Sequence, residues 1–155
     1  MSTRSRVAVK VSYNSVTVGG RDIEAGEIIH AYVHFDGYPS NMMPILTEHY
    51  DTEEKVIELI SHGDMSSLAE SCEKPEGHSY DNKIKGYTVY YGRDRGEEGT
   101  EFALGNWNKA KNEEEYGYFF EDGKWTWTCS YYKNLKELEE DTEAMLYKDS
   151  FVEQS

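Results

Sequence analysis

The chain has 155 residues, enough to bury one core without metal or disulfide staples, and the expected organisation is a single domain over residues 1–155. Thirty acids against sixteen Lys and Arg give a net charge of −14, a field that repels phosphates and anionic lipid, so direct contact with nucleic acid or a membrane is not expected. Only 37% of the residues are hydrophobic but 14% are aromatic, which points to a core built from large rings rather than to disorder.

Arg6 to Tyr13 sets Val7, Val9 and Val11 against Ala8, Lys10 and Ser12, the period of a half-buried strand. Asn14-Ser15 allows a turn before Val16-Thr17-Val18, and Gly19-Gly20 opens a polar loop to Gly26. Glu27 to Phe35 is the strongest strand pattern, with Ile29, Ala31, Val33 and Phe35 on the expected core face and Ile28, His30, Tyr32 and His34 on the other. The string His34-Phe35-Asp36-Gly37-Tyr38-Pro39 predicts a rigid corner, with a positive φ at the glycine and extended backbone before the proline.

Asn41 is then the expected cap of a short helix running to His49 or Tyr50, with Pro44 tolerated in its first turn. A second helix is expected to be capped by Asp51 and Glu54 together, to bury Val56, Leu59 and Ile60, and to stop at Gly63. Asp64 is a candidate cap for one more turn over Met65 to Leu68, and the polar segment from Glu73 to Lys83 reads as a loop.

Lys85 to Tyr91 alternates again and predicts a strand that ends in the turn Gly92-Arg93-Asp94-Arg95-Gly96. Asn106 to Glu115 reads as a short helix, and Tyr116–Phe120 with Trp125–Cys129 reads as a hairpin around Asp122-Gly123. Asn134 is expected to open an acidic C-terminal helix, with Leu135, Leu138, Thr142, Met145 and Leu146 on one stripe and Glu137, Glu139, Glu140, Asp141 and Glu143 around the rest. The predicted fold class is α+β: an antiparallel sheet of about five or six strands with helices packed on one side.

Five strings in this order resemble a small uncharacterised protein family of tailed phages. They are Met1-Ser2-Thr3-Arg4-Ser5; Tyr32-Val33-His34-Phe35-Asp36-Gly37-Tyr38-Pro39; Leu46-Thr47-Glu48-His49-Tyr50 continuing to Gly63-Asp64-Met65-Ser66-Ser67-Leu68; Tyr91-Gly92-Arg93-Asp94-Arg95-Gly96-Glu97; and Glu115-Tyr116-Gly117-Tyr118-Phe119-Phe120 with Asp122-Gly123-Lys124-Trp125. The chain departs from that family in having Phe35 where a Trp is usual, in its long first hairpin from Val11 to Glu27, and in its acidic tail. The resemblance implies an accessory role in host takeover or in blunting host defence, exercised by binding rather than turnover, and a place in the host cytoplasm. It brings no established activity with it.

His30, His34 and Asp36 share one strand face, and a metal there would need a further ligand such as His49. With no helical His pair and no paired cysteines, structural histidines are expected, and neither metal nor cofactor. Cys72 and Cys129 show no disulfide or zinc spacing, which suits a reducing compartment, and no stretch is long and apolar enough for a membrane span or a secretion signal. No Ser or Cys stands in an elbow motif, so catalysis is the weaker alternative.

Two binding readings compete. The acids Glu97, Glu98 and Glu101, Glu113, Glu114 and Glu115, and Glu137, Glu140 and Asp141 can form a surface resembling that of DNA that engages and inhibits a host protein with a basic surface, provided they fall on one side of the fold. Alternatively His34, Asp36, Tyr38, Arg93, Arg95 and Arg4 converge on a small nucleotide signal and sequester it, unless each arginine simply pairs with a neighbour such as Asp94 or Glu97.

Overall fold

The structure is a computed structural model and describes residues 2–12 and 14–153. Its strands are β1 (Ser5–Lys10), β2 (Val16–Val18), β3 (Arg21–Ile23), β4 (Ile28–Val33), β5 (Met65–Ser67), β6 (Val89–Tyr90), β7 (Ala103–Leu104), β8 (Tyr116–Glu121) and β9 (Lys124–Cys129). Its α-helices are α1 (Pro39–His49), α2 (Glu53–Ser61), α3 (Tyr91–Arg95), α4 (Trp107–Ala110), α5 (Leu135–Leu138) and α6 (Thr142–Met145).

Seven strands form one sheet in the order β6-β5-β4-β1-β8-β9, with β7 paired to β4 beside β5, while β2 and β3 form a separate hairpin. The fold class is α+β, but the sheet is mixed where an antiparallel one was expected. β1 pairs antiparallel with β4 and parallel with β8, and β4 pairs parallel with β5. Side-chain alternation has the same period in either direction, so it locates strands without orienting them. The direction is set by the connections: α1 and α2 return the chain from β4 to β5 in the same sense, as a helical crossover must.

One sheet face carries Val7, Val9, Ile29, Ala31, Val33 and Tyr118 into the main core, where Met42 and Leu46 of α1 and Val56, Leu59 and Ile60 of α2 cover it. The other face is partly covered as well, by Trp107 and Ala110 of α4 over Ala8, Ile28 and Phe119, so helices lie on both sides rather than one.

Several boundaries move for identifiable reasons. β1 starts at Ser5 and ends at Lys10, and Tyr13 lies outside the described residues. The stretch after Gly19-Gly20, expected as loop, contains β3 and closes a hairpin with β2. Helix α1 begins at Pro39 rather than after Asn41, because proline at the first helical position is pre-set in φ and has no N–H to leave unpaired. Thr52, not Asp51, caps α2 by accepting from Lys55 N–H at 3.3 Å, and Asp51 instead pairs with the Lys55 ammonium at 3.0 Å.

Met65–Ser67 is a strand rather than a helical turn, since β4 offers its backbone a parallel partner. Only Val89–Tyr90 of the run from Lys85 to Tyr91 is strand, and the arginine-bearing turn is the single helical turn α3, closed by Gly96 at φ 78°. The helix expected over residues 106–115 contracts to α4. The β8–β9 hairpin matches its expectation, with Asp122 and Gly123 at φ 52° and 76°.

The acidic C-terminal helix is not continuous. It breaks into α5 and α6 because Asp141, placed mid-pattern, instead caps a new turn by accepting from Ala144 N–H at 3.1 Å.

Candidate functional site

The corner after β4 is rigid, but not by the means its letters suggest. Asp36 takes the positive φ, at 56°, and Gly37 does not. Gly37 is needed for closeness: a Cβ there would sit 2.7 Å from both Ser5 Oγ and Thr3 O. Its N–H donates to Thr3 O at 2.9 Å, its carbonyl accepts from the buried Tyr118 hydroxyl at 2.6 Å, and Asn41 Nδ2 donates to Asp36 O at 2.8 Å. The corner is therefore fastened to the chain before β1 and to β8.

Because β1 runs antiparallel to β4 and parallel to β8, and β9 is antiparallel to β8, one end of the sheet gathers the end of β4, the start of β1, the start of β8 and the end of β9. Four neighbouring strands make a rim about 14 Å wide at the usual strand spacing. Along it lie Phe35, Asp36 and Tyr38, then Arg4, then Glu115, then Tyr131; Arg4 N–H donates to Glu115 Oε2 at 3.3 Å, and Ser130 N–H donates to Glu115 O at 3.0 Å.

The aromatics of this rim face water. Phe35 is 39% exposed, Tyr38 37% and Tyr131 61%, and no other Phe, Tyr or Trp among the described residues is counted with these exposed large side chains. Phe35 thus leaves the core face expected for it, because β4 ends at Val33 and the alternation stops with it.

Acids border these rings. The Asp36 carboxylate, with burial and Glu143 adding to it, raises the Tyr38 hydroxyl above its ordinary range. Glu143 comes from α6 and also accepts from Ser40 Oγ at 3.5 Å. Burial, assisted by Asp141 and Glu140, raises Tyr132, and Glu115 stands beside Tyr131. Asp36, Glu115, Glu140, Asp141 and Glu143 therefore share one neighbourhood, whereas Glu137 turns back to accept from Lys133 N–H at 2.7 Å.

The polar sheet face below the rim is internally organised. Tyr32 Oη lies 2.7 Å from His34 Nδ1, and Arg6 Nε donates to His30 Nδ1 at 3.0 Å while His30 Nε2–H donates to Gly105 O at 2.8 Å. That pair of bonds fixes the neutral tautomer of His30, and burial lowers its pKa further than its carbonyl partner raises it. Asp64 Oδ1 accepts from Tyr32 N–H at 3.1 Å in the gap of the β4 edge between β5 and β7. Burial raises both Asp64 and Glu114 above the ordinary carboxylate range, against the pull of Arg6 on each. Glu113 also reaches this face electrostatically, through His30.

The two turn arginines do not join His34. Arg93 donates from Nη1 to Cys72 O at 2.6 Å and from Nε to Asp94 Oδ1 at 2.8 Å, and its guanidinium lies over the Tyr90 ring. Arg95 lies over the Tyr80 ring at 4.6 Å, sharing that ring with Lys83. Glu97 and Glu101 stand near Asp64 at the β4 edge, and Glu98 belongs to the same exposed loop, so these acids are separate from the rim group.

Sequence reading grouped His34, Asp36, Tyr38 and Arg4 in a ligand-binding set and Glu115, Glu140 and Asp141 in a separate acidic set, and the sheet topology brings most of both to one end. It missed Phe35 and Tyr131 as exposed rings, and it took Glu143 only as one acid of the terminal helix. The available clue was the tyrosine pair Tyr131-Tyr132 immediately past a strand end, where side chains are no longer required to alternate into a core.

Among the described residues no group of three or more His, Cys, Asp and Glu is arranged to hold a metal ion, and no helix is long and apolar enough to cross a membrane. Comparison with protein-family models, curated proteins and solved structures finds no match to this chain.

Proposed function

We propose that the chain is a phage-encoded accessory protein that binds and inhibits a host protein in the host cytoplasm, with the aromatic and acidic rim as its contact surface. The observation that carries this reading is the co-location of Phe35, Tyr38 and Tyr131, all exposed, at the same sheet end as Asp36, Glu115 and Glu143. Exposed aromatics are costly in a monomer and are the side chains that dominate protein interfaces, and acids around them select a basic partner and speed its approach.

The resemblance to small tailed-phage proteins supports the setting. The split of the acids between the rim and the β4 edge favours recognition by anchored rings within a negative border over a long imitation of the phosphate ladder. Capture of a nucleotide at His34, Tyr38, Arg93 and Arg95 receives no support, because Arg93 spends its donors inside the fold and Arg95 stacks on Tyr80.

The test is capture from host lysate with the tagged chain, repeated with Tyr38→Ser/Tyr131→Ser. One stoichiometric basic partner, retained by the wild type at low salt, weakened at high salt and lost from the double variant, is the expected result. A partner held equally by both forms, or none at all, contradicts the proposal.

A further inference from the structure

The exposed rings of the rim fall into two groups, each with a carboxylate of its own. At the β4 corner Phe35 and Tyr38 stand either side of Asp36 in the chain, and the Asp36 charge acts on the Tyr38 hydroxyl. At the end of β9 the bond from Ser130 N–H to Glu115 O, 3.0 Å long, sets Glu115 beside Tyr131, and Arg4 N–H holds the Glu115 carboxylate at 3.3 Å. Among the described residues none of Asp36, Glu115 and Glu143 forms an ion pair. Both groups therefore combine a water-facing ring with uncompensated negative charge.

Such a pairing attracts a cation twice, through the ring quadrupole and through the carboxylate. Arginine satisfies both at once, because its planar guanidinium stacks on the ring while its donor fork engages the acid, whereas a lysine ammonium is a strongly hydrated point charge. The two groups lie at opposite ends of a rim about 14 Å wide, a distance that an extended chain covers in about four residues, with both side chains on one face. A helix would need about nine residues for the same rise, which turns the two side chains to opposite faces. Arg4 is exposed between the groups and disfavours a third cation at the middle.

We propose that the rim selects an extended segment of its partner with the pattern Arg-x-x-x-Arg, one guanidinium on Phe35, Tyr38 and Asp36 and the other on Tyr131 and Glu115. This rests on the protein-binding reading above and narrows it from a basic partner to a spaced pair of arginines.

The test titrates the whole chain with a capped peptide Arg-Ser-Thr-Ser-Arg and reads the backbone amide NMR signals of Tyr38 and Tyr131, with Glu98 in the separate acidic loop as control. Three further peptides carry lysine at both ends, a single arginine, or the two arginines side by side. The expected result is saturable shifts at positions 38 and 131 but not at 98, with an affinity at least about threefold above that of each other peptide. Tyr131→Ser should lower the affinity to that of the single-arginine peptide, while Tyr131→Phe, which keeps the ring, should hold it within about twofold. Both variants should melt as the wild type does, since Tyr131 is 61% exposed. Equal affinity for the lysine or side-by-side peptide, equal shifts at Glu98, or full affinity in Tyr131→Ser overturns the proposal. If lysate capture still yields a basic partner that the double serine variant loses, those results overturn the arginine pair alone; capture of no partner overturns the protein-binding reading and the arginine pair with it.

Discussion

Arg93 and Asp94, adjacent in sequence, close on each other through two hydrogen bonds, Nε to Oδ1 at 2.8 Å and Nη2 to Oδ2 at 3.1 Å, with the carboxylate wholly buried. Tyr90 N–H adds a third bond to Asp94 at 2.8 Å, and His78 Nε2 lies 3.5 Å from the same oxygen. Through Cys72 O the arginine also ties down the long loop that precedes β6. A motif that looked like an anion trap is thus an internal clasp.

Breaking the clasp on one side should be expensive. Arg93→Ala leaves a buried carboxylate without its counter-ion and is expected to cost about 3 kcal/mol or more in denaturant unfolding. A loss below about 1 kcal/mol would mean that Asp94 is stabilised without it.

The same pair sets an acid limit. Burial pushes the Asp94 carboxyl up, but the bonds from Arg93 and Tyr90 and the charges of Arg93 and His78 outweigh it, so its folded pKa lies below the ordinary 3.8. A depressed carboxyl contributes stability that is complete above its unfolded pKa and is lost as pH falls through its folded one. Asp94→Asn should therefore destabilise at neutral pH and flatten the loss of stability below pH 4.

His30 and His62 act in a higher window. Burial lowers both from 6.5, so the unfolded chain binds more protons, and the contribution each makes is present above pH 6.5 and lost as pH falls below it. Unfolding free energy should fall between pH 7.5 and 5.5, and His30→Gln should reduce that pH-dependent fall. An unchanged slope in the variant would show that burial does not hold His30 neutral in the fold.

Gly63 ends α2 at φ 87°, and a Cβ there would collide with Thr100 O. Gly63→Ala is expected to cost at least about 2 kcal/mol, from the left-handed backbone together with the clash. Gly96→Ala, with a similar φ but open space around it, should cost less, so the difference between them isolates the contact.

What the sequence disclosed follows from which interactions are local. Alternation exposed β1 and β4, and Asp122-Gly123 between two β-prone runs marked the β8–β9 hairpin, because these features depend on neighbours in the chain. Strand direction does not, and so the parallel β1–β8 and β4–β5 pairings stayed hidden. The candidate site suffered most from this. Asp36 and Tyr38 could be picked out beside a proline, but only the β4-β1-β8-β9 order places Glu115 and Tyr131 on the same rim. Arg93 shows the reverse, since its pairing with Asp94 was readable locally, whereas its bond to Cys72 O across the loop was not.

The rim as a contact surface is tested most directly by placing a photo-cross-linking amino acid at Tyr131, and as a control at Glu76 in the exposed loop, and irradiating each in host lysate. The account predicts a covalent adduct with one basic host protein from position 131 and none from position 76. No adduct from position 131, or the same adduct from both positions, would contradict it.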